Sequence, residues 1–248
     1  MLHAPYRRIV PGAKTAVLMI HGICGTPNHF RGILPLEELV PENWSVYNLV
    51  LDGHCKTVKD FARSSMKKWK SQVWQAFDQL ASTHEQVILV AHSMGTLFSI
   101  QLSLEHPEKI PFMLLLNVPL CIHLRLFGIR NLLRMPFDKL DMTDPIQKSI
   151  SRATGIAMTP KIWKFIPWLP RIVELLCEIG KTRKLLPQIS VRCMAFQSER
   201  DELVSNRSRR MLEENGRVEV YHLPGSTHYY YRPDDIVTVR KAFLRSCK

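Results

Sequence analysis

The feature that most constrains this chain is the repetition of short apolar runs too short for membrane helices and too continuous for amphipathic ones. Thr15–Ile20 reads TAVLMI, and similar runs fall at 45–51, 86–91, 112–117, 190–196 and 217–222. A run of five to seven apolar residues bounded by turn residues is the mark of a strand buried on both faces. Between these runs lie segments with helical spacing, expected as helices over 27–40, 60–83, 96–105, 206–214 and 234–246. In the second of these, Trp69, Val73, Phe77 and Leu80 recur on one face. Strand and helix in alternation imply a parallel sheet with right-handed crossovers and helices on both sides.

The alternation stops after Asn117 and resumes at Ser190. The intervening stretch holds helix-like pieces broken by Pro136, Pro145, Pro160, Pro167, Pro170 and Pro187. The expected organisation is therefore an α/β core over 1–118 and 188–248, with residues 119–187 as a helical cap inserted above it. The point of departure, the carboxyl end of a parallel strand, is where ligands bind in open α/β sheets.

Ala91-His92-Ser93-Met94-Gly95 sits between a buried strand and a helix. A nucleophile elbow belongs there, because the sharp turn needs small neighbours and aims the serine hydroxyl upward beside a helix N-terminus. A serine hydroxyl is a poor nucleophile at neutral pH and needs a base. His228, in the loop Gly225-Ser226-Thr227-His228 after the last strand, fits that role better than the other nine histidines. The acid that orients it is expected after the preceding strand, in Glu199-Arg200-Asp201-Glu202-Leu203-Val204. Asp201 is best placed, since Leu203 and Val204 can anchor the loop behind it, with Glu199 and Glu202 as alternatives. The order Ser, Asp, His is that of an α/β-hydrolase triad. An oxyanion hole needs two backbone donors, expected from the N–H groups of Met94 and of Ile23 in the His21-Gly22-Ile23 loop.

Taken together, HGICGTP (21–27), AHSMG (91–95), SERDELV (198–204) and GSTH (225–228) resemble the carboxylesterase and monoacylglycerol-lipase branch of the α/β-hydrolases. The resemblance covers nearly the whole core. It implies the α/β-hydrolase fold, Ser93, Asp201 and His228 as triad, Ile23 and Met94 as oxyanion donors, and a cap insertion where 119–187 falls. It also implies hydrolysis of an uncharged carboxylic ester bearing an acyl chain, without cofactor or metal. Two departures stand out. Ala91 occupies the first glycine position of the elbow, and Cys55 the second glycine of a Gly-His-Gly loop, which leaves the shape of 52–55 open. Thioesters, amides or acyl transfer to another acceptor are alternatives on the same fold, as is a non-catalytic binding protein.

The cap mixes cations with large apolar side chains, and Trp163, Phe165 and Trp168 are expected to turn away from water and line an acyl pocket. The formal net charge is +12, and 119–187 contributes twelve Lys and Arg against five Asp and Glu. No nucleic-acid-binding motif accompanies these charges, so contact with an anionic membrane surface is the partner they suggest. The first ten residues carry Arg7 and Arg8 but no apolar stretch, and six scattered cysteines show no metal-site spacing. The expected setting is cytoplasmic, with free thiols.

Overall fold

The computed structural model describes residues 3–247. Seven strands form one sheet: β1 (Tyr6–Arg8), β2 (Thr15–Ile20), β3 (Ser45–Asn48), β4 (Gln86–His92), β5 (Phe112–Leu116), β6 (Arg192–Ser198) and β7 (Val218–Leu223). Their spatial order is β1-β3-β2-β4-β5-β6-β7. All neighbours pair in parallel except β1, which lies antiparallel on β3 with Arg7 opposite Tyr47. The sequence reading places no strand before Thr15. Three residues of mixed polarity carry no periodic signal, so the edge strand shows itself only once β3 is there to pair with it.

The two-sided burial follows from the period of the strand. Ala16, Leu18 and Ile20 face one core with Leu89, Ala91, Met113 and Leu115, while Val17 and Met19 face the other with Ile88, Val90 and Leu114. On the first face lie α2 (Met66–Ala81), through Trp69, Val73, Phe77 and Leu80, and α3 (Met94–Glu105), through Phe98. The opposite face packs on Phe30, Leu34 and Leu36 and on α8 (Pro233–Ser246), through Val239 and Phe243.

Two expected helices form differently. Residues 27–40 make two short 3-10 turns, Pro27–Phe30 and Glu37–Leu39. Pro35 falls where a continuous helix would need an N–H. The 60–83 helix is divided into α1 (Val58–Ala62) and α2. Ser65 ends the gap because its hydroxyl accepts the Lys68 N–H and caps α2.

Residues 119–187 hold α4 (Leu126–Arg134), α5 (Pro145–Ala153), a 3-10 turn at Ile162–Trp168 and α6 (Leu169–Leu185). The long α6 leans on α3, where the Gln101 amide donates to Glu178 and Thr182. The chain entering this segment runs beside the loop after β6: His123 N–H donates to Leu203 O and Arg125 N–H to Glu202 O. The remaining helix, α7 (Arg207–Glu213), follows that loop. Among the described residues, no helix is long and apolar enough to cross a membrane.

Candidate active site

The strand order reverses between β3 and β4, which lie on opposite sides of β2. At such a switch point the loops leaving neighbouring strands diverge and open a crevice at their carboxyl ends. The loop after β2, with Gly22 and Ile23, and the turn after β4, with Ser93, meet there.

Ser93 has φ 51° and ψ −124°, a strained conformation for a side-chain-bearing residue. Its N–H donates to Leu116 O, which holds the turn against β5. The neighbours must be small. A Cβ on Gly95 would stand 2.4 Å from Ile20 O, and one on Gly22 would stand 2.8 Å from Ser93 Cβ. Ala91 needs no such allowance, because it lies wholly buried within β4 rather than in the turn. The departure from glycine there is accommodated.

Ser93, Asp201 and His228 converge, although they come from three separate loops. Ser93 Oγ lies 3.0 Å from His228 Nε2, and His228 Nδ1 lies 2.7 Å from Asp201 Oδ2. Only 7% of Ser93 and 1% of the other two is exposed. Asp201 is fixed from behind, its Oδ1 accepting the N–H groups of Leu203 at 2.8 Å and Val204 at 2.7 Å. The His123 ring also reaches the Asp201 carbonyl, at 3.0 Å. Of the alternative acids, Glu199 is turned away, 3.8 Å from His222. Glu202 is buried and its Oε2 accepts the backbone N–H of His228 at 3.0 Å. Burial alone would lower the His228 pKa, but the charge and hydrogen bond of Asp201 and the charge of Glu202 outweigh it, and the net shift is upward. Glu202 itself is raised, by burial first and the charge of Asp201 second.

The two expected oxyanion donors, one at a helix start and one in a loop, have no acceptor of their own among the described residues. Met94 is the first residue of α3, where helix geometry offers its N–H no partner. In the loop after β2, Gly25 N–H donates to Gly22 O and Cys24 N–H to His54 Nε2. Among the described residues the Ile23 N–H donates to no protein group.

The loop 52–55 closes without the second glycine, because Cys55 itself adopts φ 58° and Gly53 φ 75°. This places His54 under the loop after β2, with Nδ1 at 3.2 Å from Asp52 O and Nε2 accepting from Cys24. His21 is held alike, with Nε2 accepting from Leu51 N–H at 3.1 Å. Two further rings lie behind His228. His92 Nε2 lies 3.0 Å from His228 O, which the Asn117 amide also reaches at 3.2 Å. His29 stacks on His92 with ring centroids 3.7 Å apart. Burial lowers His21 to about 4 and drives His29, His54 and His92 well below the ordinary histidine value. No local signal marks His29, His54, His92 and Asn117 for supporting roles: they come from a 3-10 turn, the 52–55 loop, the end of β4 and the residue after β5, which only tertiary folding brings together.

The three aromatic residues expected in an acyl pocket are placed differently from one another. Trp168 packs on Phe61, with centroids 4.3 Å apart, and its Nε1–H donates to Val58 O at 3.0 Å. Phe165 lies edge-on to Trp168, 4.9 Å away. Trp163 is 59% exposed, which corrects the expectation that all three rings turn from water. Its 3-10 turn carries Ile162 and Ile166 outward as well, and Leu169 at the start of α6 is also exposed. Among the described residues no cluster of side chains is suited to hold a metal ion.

Among solved structures, the chain is similar to a metagenome-derived lipolytic enzyme of the LipS and LipT study, at 18% identity and TM-score 0.72, covering 98% of both chains. It is similar to the monoacylglycerol lipase of Paleococcus ferrophilus, at 14% identity and TM-score 0.69, covering 98% of this chain and 97% of that one. It is also similar to a carboxylesterase of Nitrososphaera gargenis, at 16% identity and TM-score 0.67, covering 98% and 94%. Among curated protein sequences none matches significantly. Likeness at these identities establishes the α/β-hydrolase fold. The family model described as serine aminopeptidase, S33, matches residues 11–231, most of the chain, and the chain belongs to that family of α/β-hydrolases.

Proposed function

We propose that the protein is a serine esterase that cleaves carboxylic esters of the acylglycerol or simple acyl type through Ser93, His228 and Asp201. The observation that carries this reading is the buried hydrogen-bonded chain from Ser93 Oγ through both ring nitrogens of His228 to Asp201, at 3.0 and 2.7 Å. Neutral His228 accepts the Ser93 proton as Oγ attacks the ester carbonyl. Asp201 holds the Nδ1–H tautomer and stabilises the imidazolium that forms. The carbonyl oxygen, now negative, receives the N–H groups of Ile23 and Met94. Collapse of the tetrahedral adduct expels the alcohol, protonated by His228, and leaves an acyl-Ser93 ester. Water, deprotonated by the same ring, then releases the acid. The lipolytic enzyme, monoacylglycerol lipase and carboxylesterase named above support an ester substrate over an amide.

The reading includes residues 119–187 as a cap over the nucleophile. In its support, Ser149 Oγ donates to Tyr229 O and Gly155 N–H to Cys24 O, so α5 and the residues after it rest on the loops beside His228 and Ile23. We infer further that the exposed Trp163, Ile166 and Leu169, flanked by Lys161 and Lys164, meet an anionic bilayer surface. Co-sedimentation with phosphatidylglycerol-containing vesicles, lost in Trp163→Asp, tests that contact; equal sedimentation of both proteins contradicts it.

The substrate assignment is tested with nitrophenyl esters of graded chain length, the matching thioesters and the matching anilides. Ester turnover at least about tenfold above thioester and anilide, abolished in Ser93→Ala, is the expected result. Preference for a thioester or an anilide would move the protein to one of the alternative classes on this fold.

A further inference from the structure

We propose that Asn117 is a positioning residue for the reaction: its side-chain amide fixes the main chain of His228 and so sets the reach of the base toward both Ser93 and Asp201. The proposal rests on the esterase reading and adds to it a side chain that touches neither the reacting atoms nor the imidazole.

The position follows from the sheet. β5 lies between β4, which leads into Ser93, and β6, whose following loop carries Asp201. Asn117 is the first residue beyond β5. The residue before it, Leu116, accepts the Ser93 N–H at 2.9 Å. The N–H of Asn117 itself donates to Phe196 O of β6 at 2.8 Å. Its backbone is therefore held between the strand of the nucleophile and the strand of the acid.

Its side chain reaches the third loop. Asn117 is fully buried, and its Oδ1 accepts the N–H of Ser198, the last residue of β6, at 2.9 Å. Its Nδ2 donates to His228 O at 3.2 Å, and lies 3.5 Å from Thr227 O and 3.4 Å from Tyr231 Oη. A backbone N–H on one side and backbone carbonyls on the other leave the amide a single orientation. One planar group thus ties the end of the acid's strand to the peptide of the base. The other side of that residue is held as well, since Glu202 Oε2 accepts the His228 N–H at 3.0 Å. With its main chain gripped at both N–H and C=O, His228 presents its two ring nitrogens at 3.0 Å from Ser93 Oγ and 2.7 Å from Asp201 Oδ2.

The residue type carries the argument further. Asn117 has φ 51°, in the left-handed region that Gly, Asn and Asp enter most readily. Of these three only Asn offers both a donor and an acceptor. Aspartate would accept from Ser198 but set a carboxylate against the His228 carbonyl, and glycine would bond neither. A turn alone asks only for the backbone conformation. The buried donor and the buried acceptor are further demands, and each is met by a group next to the triad.

The test compares wild type with Asn117→Gly, Asn117→Asp and Tyr231→Phe, each checked for a cooperative thermal melt. The first two keep the turn, and Asn117→Asp also keeps an acceptor for Ser198. Tyr231→Phe leaves the bond from Asn117 to His228 in place. Three quantities are read: kcat and KM for 4-nitrophenyl hexanoate, the rate of Ser93 labelling by a fluorophosphonate, and the low-field proton resonance of the His228 Nδ1–H bonded to Asp201. In both Asn117 variants kcat and labelling should fall at least about thirtyfold while KM changes less than about threefold, the scale of a base displaced by a fraction of an ångström. The resonance should shift or vanish in both. Tyr231→Phe should stay within about threefold of wild type in both rates, because geometry at the base is kept. Wild-type rates in either Asn117 variant overturn the proposal. So does lost activity with an unmoved resonance, which would put the fault outside the pair of His228 and Asp201. An equal loss in Tyr231→Phe overturns it too, since the buried network as a whole would then be responsible. If Asn117→Gly does not hold the native fold, Asn117→Asp decides, because it retains both the turn and the Ser198 bond. Wild type that is labelled on Ser93 but turns over no ester, with labelling slowed in the variants, keeps the positioning role and sinks the esterase reading.

Discussion

Lowering the pH should unfold this protein, and the buried histidines set the scale. His21, His29, His54 and His92 are each at most 1% exposed. Two of them, His21 and His54, already accept backbone N–H groups on Nε2, so a proton there would set donor against donor. His29 and His92 stack at 3.7 Å, so charging both would place like charges in contact. Their folded pKa values are depressed by burial, to about 4 for His21 and well below 6.5 for the others. An unfolded histidine titrates near ~6.5. Below that pH the unfolded chain binds protons that the native state refuses, so stability is full above it and drains as pH falls toward the folded values. Between pH 7 and 5.5 the loss is about 1 kcal/mol per ring, or about 4–5 kcal/mol for the four. His228 works the other way, because its raised pKa lets the native state bind its proton more readily. One ring against four leaves a net loss of about 4 kcal/mol, a large fraction of the ~5–15 kcal/mol that holds a domain folded. Urea unfolding followed by tryptophan fluorescence at pH 7.0 and 5.5 measures it. A fall of under about 1 kcal/mol, or a gain, would refute the claim that these rings are held neutral.

The same groups govern rate. In the proposed mechanism His228 must be neutral to accept the Ser93 proton, and its pKa is raised, so kcat/KM should rise with pH through one ionisation centred above 6.5 and then level off. Glu202→Gln should move that midpoint downward, because a carboxylate charge beside the ring is removed; an unmoved or raised midpoint would contradict the role given to Glu202. Gly95→Ala should lower stability by at least ~2 kcal/mol and reduce turnover, because the new Cβ meets backbone at 2.4 Å. Gly180→Ala is its counterpart: nothing lies within 4 Å of the new Cβ in α6, so the urea midpoint should rise, by about 0.5–1 kcal/mol in stability.

Much of the core was legible because its signals are local. A strand buried on both faces announces itself as an apolar run, and β2, β4, β5 and β6 each do so. The elbow was legible because Ser93 and Gly95 fall at a strand-to-helix junction, and Asp201 because Leu203 and Val204 supply the backbone that grips it. What escaped depends on partners distant in sequence. β1 is three residues long and defined by β3. The break at Ser65 comes from one hydroxyl bonding the Lys68 N–H, which outweighs a helical pattern that continues across it. The rings of His29, His54 and His92 lie in segments 25 to 63 positions apart, and although His92 adjoins Ser93, nothing local says that the three share one site. Trp163 differs for the opposite reason: a large ring is expected to be buried, but this one lies on the outer side of its 3-10 turn, whose inner side packs through Phe165 and Trp168.

In the proposed mechanism Ser93 is a nucleophile activated by His228. Reaction with a fluorophosphonate, followed by peptide mass spectrometry, tests it most directly, since only a hydroxyl deprotonated by a competent base attacks the phosphorus at a useful rate. The account predicts one phosphonyl group per chain, located on Ser93, absent in Ser93→Ala and slowed at least about a hundredfold in His228→Ala. A folded wild-type protein that stays unlabelled, or one labelled on a different residue, would contradict it.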